Sequence, residues 1–427
     1  MTPPRRAVVM NMFYTGLGIA RSLGEQGIPV IGLSAHQRIF GNFTRYAKVR
    51  ACPDSRSQPE LLLPYLLEMA REIGSGSVIF PTRDDDVLFL DRYRAELSPH
   101  YVLAIPGQEP IEICLDKWKT YLGAQQAGVP QPKSWLIDSE EALLAVAERC
   151  SFPCVLKPVA SHHWRQGQNW DIVGGRKAIR VESRAQLLSE YAVVNHADRR
   201  ALLQELVPGG DDCLAIAACY LDRNSKWVAG FNTRKLLQVP EAFGTGCIVE
   251  SYRNPELLER SARLLQAIRF TGIAEVEYKW DARTSDYQLI EINARPWDQH
   301  RLGNATGVDL IRLAFAELSG AEAAIPALHT GDYKWIAEDT LCMELLRLIR
   351  DRNPKVRQIL RLASGKRIYA IWSLKDPLPF LVYMLTSFLP NLMGSVFRAL
   401  RPGRWYKFDS NGDVGYERHL EQGRGHD

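Results

Sequence analysis

The sequence predicts an α/β protein that begins with a doubly wound, nucleotide-type domain, continues into an α+β domain and ends in a mostly helical region. Three observations support this prediction. Residues 5–33 alternate as strand, helix and strand, residues 272–294 have the pattern of an amphipathic β-hairpin, and the chain from about residue 335 is arginine-rich with helical spacing. A chain of 427 residues is long enough for two or three domains.

The first domain is predicted to span residues 1–113. The segment RRAVVMNMFYTGLGIARSLGEQGIPVIGL has the order of a βαβ unit, and GSVIFPTRDDDVLFL and YVLAIPG add further strands and a helix. Gly16 and Gly18 stand where a dinucleotide fingerprint would begin, but TGLGIA lacks the full GxGxxG spacing. We therefore expect these glycines to serve turn geometry rather than to bind NAD.

The second domain is predicted to span residues 114–320, with a lid lobe at about 130–205 and a metal-binding lobe at about 206–320. A helix begins near Asp116 and is broken by GVPQP, and FPCVLKPVA follows as a buried strand. ALLQELVPGGDDCLAIAACYLD is expected to form two strands around a Pro-Gly-Gly turn. SHHWRQGQNWDIVGGRK is long and polar, so we expect a mobile loop over a site, with His162 and His163 facing solvent.

The third region, residues 321–427, contains an apolar segment at 377–400. No charged side chain occurs from Pro377 to Phe397, and Arg398, Arg401 and Arg404 follow. The length would suit a membrane-spanning helix, but it is interrupted by Pro379, Pro390, Asn391 and Gly394. We favour helices packed on the protein over peripheral contact with a membrane interface, and both interpretations stay open.

Composition narrows the function classes. A net charge of +4 and a pI near 8.5 are too balanced to indicate nucleic acid as the main partner. The eight cysteines form no CxxC pair, which argues against a zinc site and a disulfide framework and suits a reducing cytosol. The short apolar run after Arg6 is better interpreted as a first strand than as a signal peptide, so we expect a cytoplasmic protein, peripheral to the inner face of a membrane if the tail binds lipid.

The candidate chemistry lies in the hairpin and in LIEINARPWDQH after it. Strand alternation places Glu291, Asn293 and Arg295 on one face, and Glu277 shares a face with Glu275 and Lys279 in the preceding strand. A register that opposes Glu277 and Glu291 would bring two carboxylates together and require a positive charge between them. Hard oxygen ligands suit Mg²⁺ shared with phosphates, whereas a merely solvated polar face is the alternative.

Five segments in order resemble the ATP-grasp superfamily, in the branch of carboxylate-amine ligases and carbamoyl-phosphate synthase-like proteins. They are a nucleotide-fold first domain, DK with GVPQP, FPCVLKP, LLQELVPGGDD, and EVEYKWD with LIEINARP, and together they run from about residue 5 to 318. The resemblance implies ATP and Mg²⁺, with Mn²⁺ as a substitute, and an ATP-dependent ligase that joins a carboxylate to an amine through an acyl phosphate.

The resemblance also implies roles for individual residues. Lys117, Lys157, Glu205 and Asp212 would contact ATP, and Glu277, Glu291 and Asn293 would be the metal ligands. Arg295 would lie beside the transferred phosphoryl group, with Arg234 or Lys235 as a further basic group near the γ-phosphate or the acid substrate. Few glycines follow Lys157, which departs from many members and leaves open how residues 161–177 close over ATP.

The substrate pocket is expected in the second half of the hairpin motif, with Trp297, Asp298 and His300, and in PTRDDD at residues 81–86. The partners would be small carboxylates and amines of amino-acid or peptide type, and we allow for a homodimer. Three alternatives stay open: a bicarbonate-activating carboxylase of the same superfamily, a non-catalytic nucleotide-binding scaffold anchored through residues 377–400, and an oxidoreductase that binds NAD through Gly16 and Gly18.

Overall fold

The structure is a computed structural model, and it describes residues 5–321, 331–390 and 392, with the backbone of residues 406–408 and 414–416. Three sheets dominate it: one of five strands, one of four and one of seven. The five-stranded sheet begins the chain, the four-stranded sheet follows it, and the seven-stranded sheet is built from the second half of the chain.

The five-stranded sheet is entirely parallel, with strand order β3-β2-β1-β4-β5. Its elements are β1 (Ala7–Met10), α1 (Tyr14–Gly24), β2 (Val30–Ser34), β3 (Lys48–Ala51), α2 (Pro59–Ile73), β4 (Ser77–Phe80), α3 (Asp84–Arg92), α4 (Arg94–Leu97) and β5 (Tyr101–Leu103). The predicted doubly wound topology is therefore confirmed. Because the chain reverses its direction of winding between β1 and β4, the crevice beyond these two strands is the position where such sheets bind ligands.

Gly16 and Gly18 do not form a turn, contrary to our expectation, but lie inside α1. A Cβ on Gly16 would lie 1.9 Å from the carbonyl oxygen of Asn11, and one on Gly18 would lie 2.6 Å from Nε2 of His300. Glycine is needed at both positions because other chain segments approach the helix backbone too closely for a side chain.

The four-stranded sheet is antiparallel, with strand order β6-β9-β7-β8. Two helices lead into it, α5 (Gln108–Leu115) and α6 (Lys117–Gln126), and Asp116 caps α6 by accepting hydrogen bonds from the backbone of Trp118 and Lys119. The further elements are β6 (Ser134–Ile137), α7 (Glu140–Arg149), β7 (Cys154–Pro158), α8 (Ser161–Arg165), α9 (Asn169–Ile172), β8 (Ile179–Val181), α10 (Arg184–Val194) and β9 (Ala201–Glu205).

The segment predicted as a mobile loop, residues 161–177, contains the two short helices α8 and α9. Trp164 anchors them because its side chain is buried in the core of this sheet and its helices. His163 does not simply face solvent, since its Nδ1 lies 2.7 Å from Oδ2 of Asp198. An aromatic anchor thus takes the place of a glycine-rich loop after Lys157.

The seven-stranded sheet has the order β14-β13-β10-β11-β12-β15-β16. Its elements are β10 (Leu214–Leu221), β11 (Trp227–Val239), β12 (Thr245–Tyr252), α11 (Pro255–Ala267), β13 (Gly272–Asp281), β14 (Asp286–Asn293), α12 (Leu302–Ala305), α13 (Leu310–Leu318), β15 (Tyr333–Ile336), α14 (Glu338–Arg350), α15 (Lys355–Leu362) and β16 (Lys366–Tyr369). The two strands predicted around Pro-Gly-Gly, β9 and β10, belong to different sheets, so this turn is a crossing between lobes.

The C-terminal region is less purely helical than predicted, because β15 and β16 extend the seven-stranded sheet. After them come α16 (Leu378–Tyr383), a π-helical turn at Met384–Phe388, and the paired strands β17 (Tyr406–Phe408) and β18 (Val414–Tyr416). The part of the predicted apolar segment beyond residue 392 lies outside the described residues. Within the described part of the chain, no helix is long and apolar enough to cross a membrane.

A buried ion pair ties this region to the first domain. Arg21 on α1 donates from Nε to Oδ2 of Asp376 over 2.9 Å, and both side chains are almost fully buried. Thr44 Oγ1 and the backbone N–H of Arg45 also donate to Asp376. The predicted packing of the tail on the protein is therefore present at residues 370–383.

Candidate active site

A cleft of about 1160 Å³ lies where the three sheets meet. The five-stranded sheet contributes residues that follow β1 and β4, including Asn11, Thr15 and Asp84. The four-stranded sheet contributes Lys157 and Gln204, and the seven-stranded sheet contributes the polar face of the β13–β14 hairpin. The crevice at the topological switch point of the first sheet therefore opens into the same space as the hairpin.

The hairpin has the register that brings the two carboxylates together, with a register shift between Glu277 and Tyr278. Glu277 pairs with Glu291 across β13 and β14, and Glu275 pairs with Asn293. The positive charge expected between the two carboxylates is supplied by lysine: Lys235 Nζ on β11 lies 2.5 Å from Oε2 of Glu277. Burial alone would lower the pKa of Lys235, but Glu277 and Glu275 outweigh it and raise that pKa. Lys235 is thus held as a cation against the hairpin.

Glu275 is a buried acid that the sequence analysis did not select. Its Oε2 accepts a 2.9 Å hydrogen bond from Nδ2 of Asn293. Burial and the neighbouring charge of Glu277 raise the pKa of Glu275 to about 8. Because Glu275 accepts a hydrogen bond from the amide N–H₂ of Asn293, the amide oxygen of Asn293 is free to serve as a metal ligand.

Glu277, Glu291 and Asn293 fit the requirements of a divalent cation such as Mg²⁺. They offer two carboxylates and one amide oxygen, a small set of hard ligands that leaves positions for phosphate and water. Among the described residues there is no group of three or more His, Cys, Asp or Glu side chains arranged to hold a metal.

Lys117 and Lys157 converge on the cleft from the four-stranded sheet and the helix before it. Lys117 Nζ donates to Ser161 Oγ over 2.8 Å and lies 3.9 Å from Oε2 of Glu291. Lys157 Nζ donates to Gln204 Oε1 over 2.8 Å. Burial and the nearby charge of Lys117 lower the pKa of Lys157 to about 7. Two cations held this close favour a polyanionic ligand.

The side chain of Arg295 is held by an acid of the first domain. Its Nε donates to Oδ1 of Asp84, at the start of α3, over 2.6 Å. Burial would raise the pKa of Asp84, but the charge and hydrogen bond of Arg295 prevail and lower it. Asp84 belongs to the PTRDDD segment that the sequence assigns to the substrate pocket, and it orients Arg295 at the boundary between the hairpin and the first sheet.

Arg234 and Lys235, which the sequence treats as alternatives, lie on opposite faces of β11. Lys235 faces the hairpin acids, whereas Arg234 donates from Nε to Oε1 of Glu250 over 2.9 Å and stacks on Tyr252. Both residues contact the cleft. Of these two residues, Lys235 is the one that contacts Glu277.

Glu205 and Asp212 line the cleft at the crossing between the two lobes. Asp212 is exposed and free to reach a ligand, whereas its neighbour Asp211 accepts hydrogen bonds from the backbone and side chain of Gln238. Of the two adjacent acids, Asp211 fixes the turn and Asp212 faces the cleft.

The three residues predicted for the substrate pocket separate into two groups. Trp297 and Asp298 line the cleft, and Asp298 Oδ1 accepts a 2.7 Å hydrogen bond from Thr15 Oγ1. Burial raises the pKa of Asp298 to about 6. His300 differs from the prediction, because it is buried against Gly18, its Nε2 lies 3.3 Å from the carbonyl oxygen of Thr15, and it is not among the residues lining the cleft. Burial lowers the pKa of His300 to about 3, which makes it a neutral packing residue.

Sequence reasoning did not select Glu275, Gln204, Ser161 or Thr15 as site residues. Glu275 shared the alternation that selected Glu277, so the pattern contained a signal for it. Gln204, Ser161 and Thr15 have no such signal, because each acts on a residue distant in sequence: Lys157, Lys117 and Asp298 respectively.

Comparisons with known proteins show several similarities of sequence and fold. Residues 246–322 match the family model described as "Carbamoyl-phosphate synthase L chain, ATP binding domain". A D-aspartate ligase of Enterococcus faecium is 23% identical over 317 residues, which cover 71% of this chain and 73% of that protein. A D-alanine-D-alanine ligase of Pseudomonas entomophila is 22% identical over 229 residues, covering 49% of this chain and 65% of that ligase, so the match spans just under two thirds of its length.

Among solved structures, a biotin carboxylase complex with ATP from Campylobacter jejuni superposes with a TM-score of 0.61 and 19% identity, over 77% of this chain and 74% of the other. At that identity the likeness concerns the fold. The chain is thus similar in sequence to D-aspartate and D-alanine-D-alanine ligases and, over residues 246–322, to the ATP-binding domain of the carbamoyl-phosphate synthase L chain, and its fold resembles that of a biotin carboxylase.

Proposed function

We propose that this protein is an ATP-dependent ligase that activates a small carboxylate as an acyl phosphate and transfers it to an amine. The observation that carries the proposal is the in-register pair of Glu277 and Glu291, which faces Lys117, Lys157 and Lys235 in one cleft. Burial would raise the pKa of Glu291, but these lysines together lower it. Such a balanced set of buried charges suits the phosphates of ATP and a divalent cation.

The residues of the site have separate roles in phosphoryl transfer. Lys117 and Lys157 bind phosphate oxygens, and Glu205 and Asp212 face the nucleoside. Glu277, Glu291 and Asn293 would hold Mg²⁺, which when bound neutralises phosphate charge and orients the phosphates. Arg295, fixed by Asp84, binds the transferred phosphoryl group at the edge nearest the first sheet. Transfer of this kind needs positioning and charge neutralisation more than a covalent partner on the protein.

The reaction has two steps. A carboxylate oxygen attacks the γ-phosphorus, the bond to the β–γ bridging oxygen breaks, and ADP leaves. The amine nitrogen then attacks the acyl carbon, the bond from carbon to the phosphate-bearing oxygen breaks, and phosphate leaves with that oxygen. Helix α8, which holds Ser161 against Lys117, covers the phosphate end of the cleft and excludes water that would hydrolyse the acyl phosphate.

The amine is proposed to bind in the switch-point crevice of the first sheet. Asn11, Thr15 and Asp298 line this end of the cleft. Asp298 is a carboxylate above its pKa of about 6, so it can hold an ammonium group and accept a proton from the attacking nitrogen. The D-aspartate and D-alanine-D-alanine ligases among the relatives support amino acids or short peptides as the substrate class.

The test is ADP release by the full chain in a screen of amino acids and dipeptides, supplied singly and in pairs with ATP and Mg²⁺. A ligase releases ADP fastest when both acid and amine are present. Glu291→Gln should lower that rate about 100-fold or more, because it removes a charge that the bound cation and lysines require. Glu256→Gln, an exposed glutamate on α11, is the matched control and should not alter the rate. ADP release that depends on bicarbonate instead would indicate a carboxylase, and none with any pair would indicate a scaffold.

A further inference from the structure

Helix α16, the turn before it and the π-helical turn that continues it expose a row of leucines, which we call the leucine face: Leu374, Leu378, Leu381, Leu385 and Leu389. Leu374 lies in the turn before the helix, and the other four recur every three or four residues along one side of it. Leu374 is 86% exposed and Leu385 68% exposed. The opposite side of the helix is occupied, since Phe380 packs on Trp372 and Tyr383 packs on Phe40 of the first domain. The helix is therefore docked by one side and uncovered on the other.

The first domain extends this surface with residues of matching character. Helix α16 packs on the 3-10 turn Phe40–Phe43, and Phe43 at the end of that turn is itself exposed. The sequence from Ala35 to Pro53 contains no acidic residue, and Arg38 and Arg45 are exposed within it. The apolar row thus borders a second exposed segment that is basic and carries an aromatic side chain.

In sequence, residues 374–408 are predominantly basic. Between Leu374 and Phe408 the only acid is Asp376, and it is buried beneath Arg21. The same stretch contains five basic residues, Lys375, Arg398, Arg401, Arg404 and Lys407. Among the described residues, Lys375 pairs with Glu25, which Arg301 also contacts. Lys375 beside the leucine face and Arg38 and Arg45 in the adjoining segment are exposed and basic, so the described part of this surface favours anions.

We propose that the leucine face binds the surface of an anionic lipid bilayer. The leucines and Phe43 would enter the boundary between headgroups and acyl chains, and Arg38, Arg45 and Lys375 would contact lipid phosphates. Exposed apolar side chains bordered by basic residues, along a short helix packed flat on its protein, are typical of a surface that binds anionic lipid. The basic residues distinguish this face from one that binds a neutral or cationic partner.

This proposal is independent of the proposed function, because no residue of the leucine face lines the cleft. It would hold the ligase at a membrane surface, with the catalytic cleft still open to soluble ATP. The failure of one proposal would therefore leave the other in place.

The test is flotation of the full chain with phosphatidylcholine vesicles, with and without phosphatidylglycerol, at low and high salt. The protein should float with anionic vesicles at low salt and separate from them at high salt. The double variant Leu378→Glu/Leu385→Glu should lower the partition coefficient roughly tenfold or more, because two side chains that would enter the bilayer become charged. The control Leu61→Glu/Leu144→Glu alters exposed leucines on α2 and α7 and should float like the unaltered chain.

Three results would overturn the proposal. They are failure of the unaltered chain to bind anionic vesicles, equal binding to neutral vesicles, and unchanged binding by the Leu378→Glu/Leu385→Glu variant. Sedimentation velocity without vesicles adds a further check: a dimer that this variant dissociates, together with no vesicle binding, would show that a second copy covers the face instead. Thermal unfolding of both double variants confirms that each is folded, and their ADP release in solution should match that of the unaltered chain.

Discussion

Lys157 is the cation whose protonation should depend most on ATP. Its ammonium group is buried and close to Lys117, which lowers its pKa from the ordinary 10.5 to about 7. Phosphate oxygens beside it would stabilise the charged form and raise that pKa again. Below pH 7 the lysine is already charged, so ATP binding requires no proton uptake. Above pH 7 a proton must be taken up when ATP binds, so the affinity for ATP should fall as pH rises.

This effect is measurable by calorimetry of ATP binding at pH 8 in two buffers of different ionisation enthalpy. We expect uptake of a substantial fraction of one proton by the unaltered chain. Lys157→Met should weaken binding by about tenfold or more and reduce the uptake, since the titrating group is gone. Equal uptake by both proteins would show that the proton goes elsewhere, for example to the nucleotide itself.

Glu275 is predicted to position Asn293 rather than to contact ATP. Its carboxylate holds the amide N–H₂ of Asn293, so the loss of that acceptor would let the amide rotate. Glu275→Ala should raise the Mg²⁺ concentration needed for half-maximal ADP binding about tenfold or more, as is usual when a residue supporting a metal ligand is removed. Glu275→Gln retains an acceptor oxygen and should stay close to the unaltered chain.

The measurement is titration with ADP at increasing Mg²⁺, which reports binding without turnover. If Glu275→Ala and Glu275→Gln shift the Mg²⁺ dependence equally, the hydrogen bond that orients Asn293 is not what Glu275 contributes. An unshifted Glu275→Ala would show that Asn293 needs no support.

At the scale of elements, helix α1 is closely packed at Gly16, where the backbone of Asn11 approaches it, and at Gly18, where the side chain of His300 does. Gly16→Ala would place a methyl group 1.9 Å from the backbone oxygen of Asn11, and the helix must move to relieve it. We expect a loss of about 2 kcal/mol or more in the free energy of unfolding. Gly123→Ala in helix α6 is the matched control. Its added methyl group would make ordinary contacts at 3.5 and 3.6 Å, so it should stabilise the protein by up to about 1 kcal/mol.

Chemical denaturation of the two variants tests this pair. Equal stabilities, or a Gly16→Ala variant as stable as the unaltered chain, would mean that α1 can shift at little cost. The expected difference would confirm that glycine in TGLGIA serves the packing of α1, as His300 beside Gly18 also indicates.

Elements whose pairing is local were predictable from the sequence. The β13–β14 hairpin has period-two alternation on both sides of a short turn, and this pattern indicated the hairpin and its polar face. The pairing of Glu277 with Glu291 also needs a register shift between Glu277 and Tyr278, which the pattern does not specify. The division of β9 and β10 between two sheets was not predictable in this way, because a Pro-Gly-Gly turn is equally compatible with a hairpin. Strands β15 and β16 have four residues each and are separated by two helices, which gave them too little periodicity to stand out.

The site was predictable to the same extent. Lys117, Lys157 and the hairpin acids lie in segments with a recognisable order, and the structure brings them together. Asp84 and Arg295 are 211 positions apart, and their contact follows only from how the first sheet docks on the hairpin. His300 was expected to continue the ligand set because it follows a strand of polar residues, whereas in the structure the chain turns there and His300 packs on α1.

At the scale of the whole molecule, the central claim is that three sheets jointly form one ligation site. The four-stranded sheet and helix α6 supply Lys157 and Lys117, the hairpin supplies the acids, and the first domain supplies Asp84 and Thr15, which contact Arg295 and Asp298. ATP and the carboxylate must then meet at the hairpin, with the amine approaching from the first sheet. This arrangement calls for an acyl phosphate that forms in the first step and is consumed by the amine in the second.

Isotope transfer tests this claim most directly. The carboxylate substrate found by the ADP-release screen would be labelled with ¹⁸O in both oxygens, incubated with ATP and the amine, and the released phosphate analysed by mass spectrometry. An acyl phosphate requires one ¹⁸O to leave the carboxylate with each phosphate, so the account predicts singly labelled phosphate in proportion to ADP. Unlabelled phosphate released together with amide would contradict it, because the carboxylate oxygen would then never have been bonded to phosphorus.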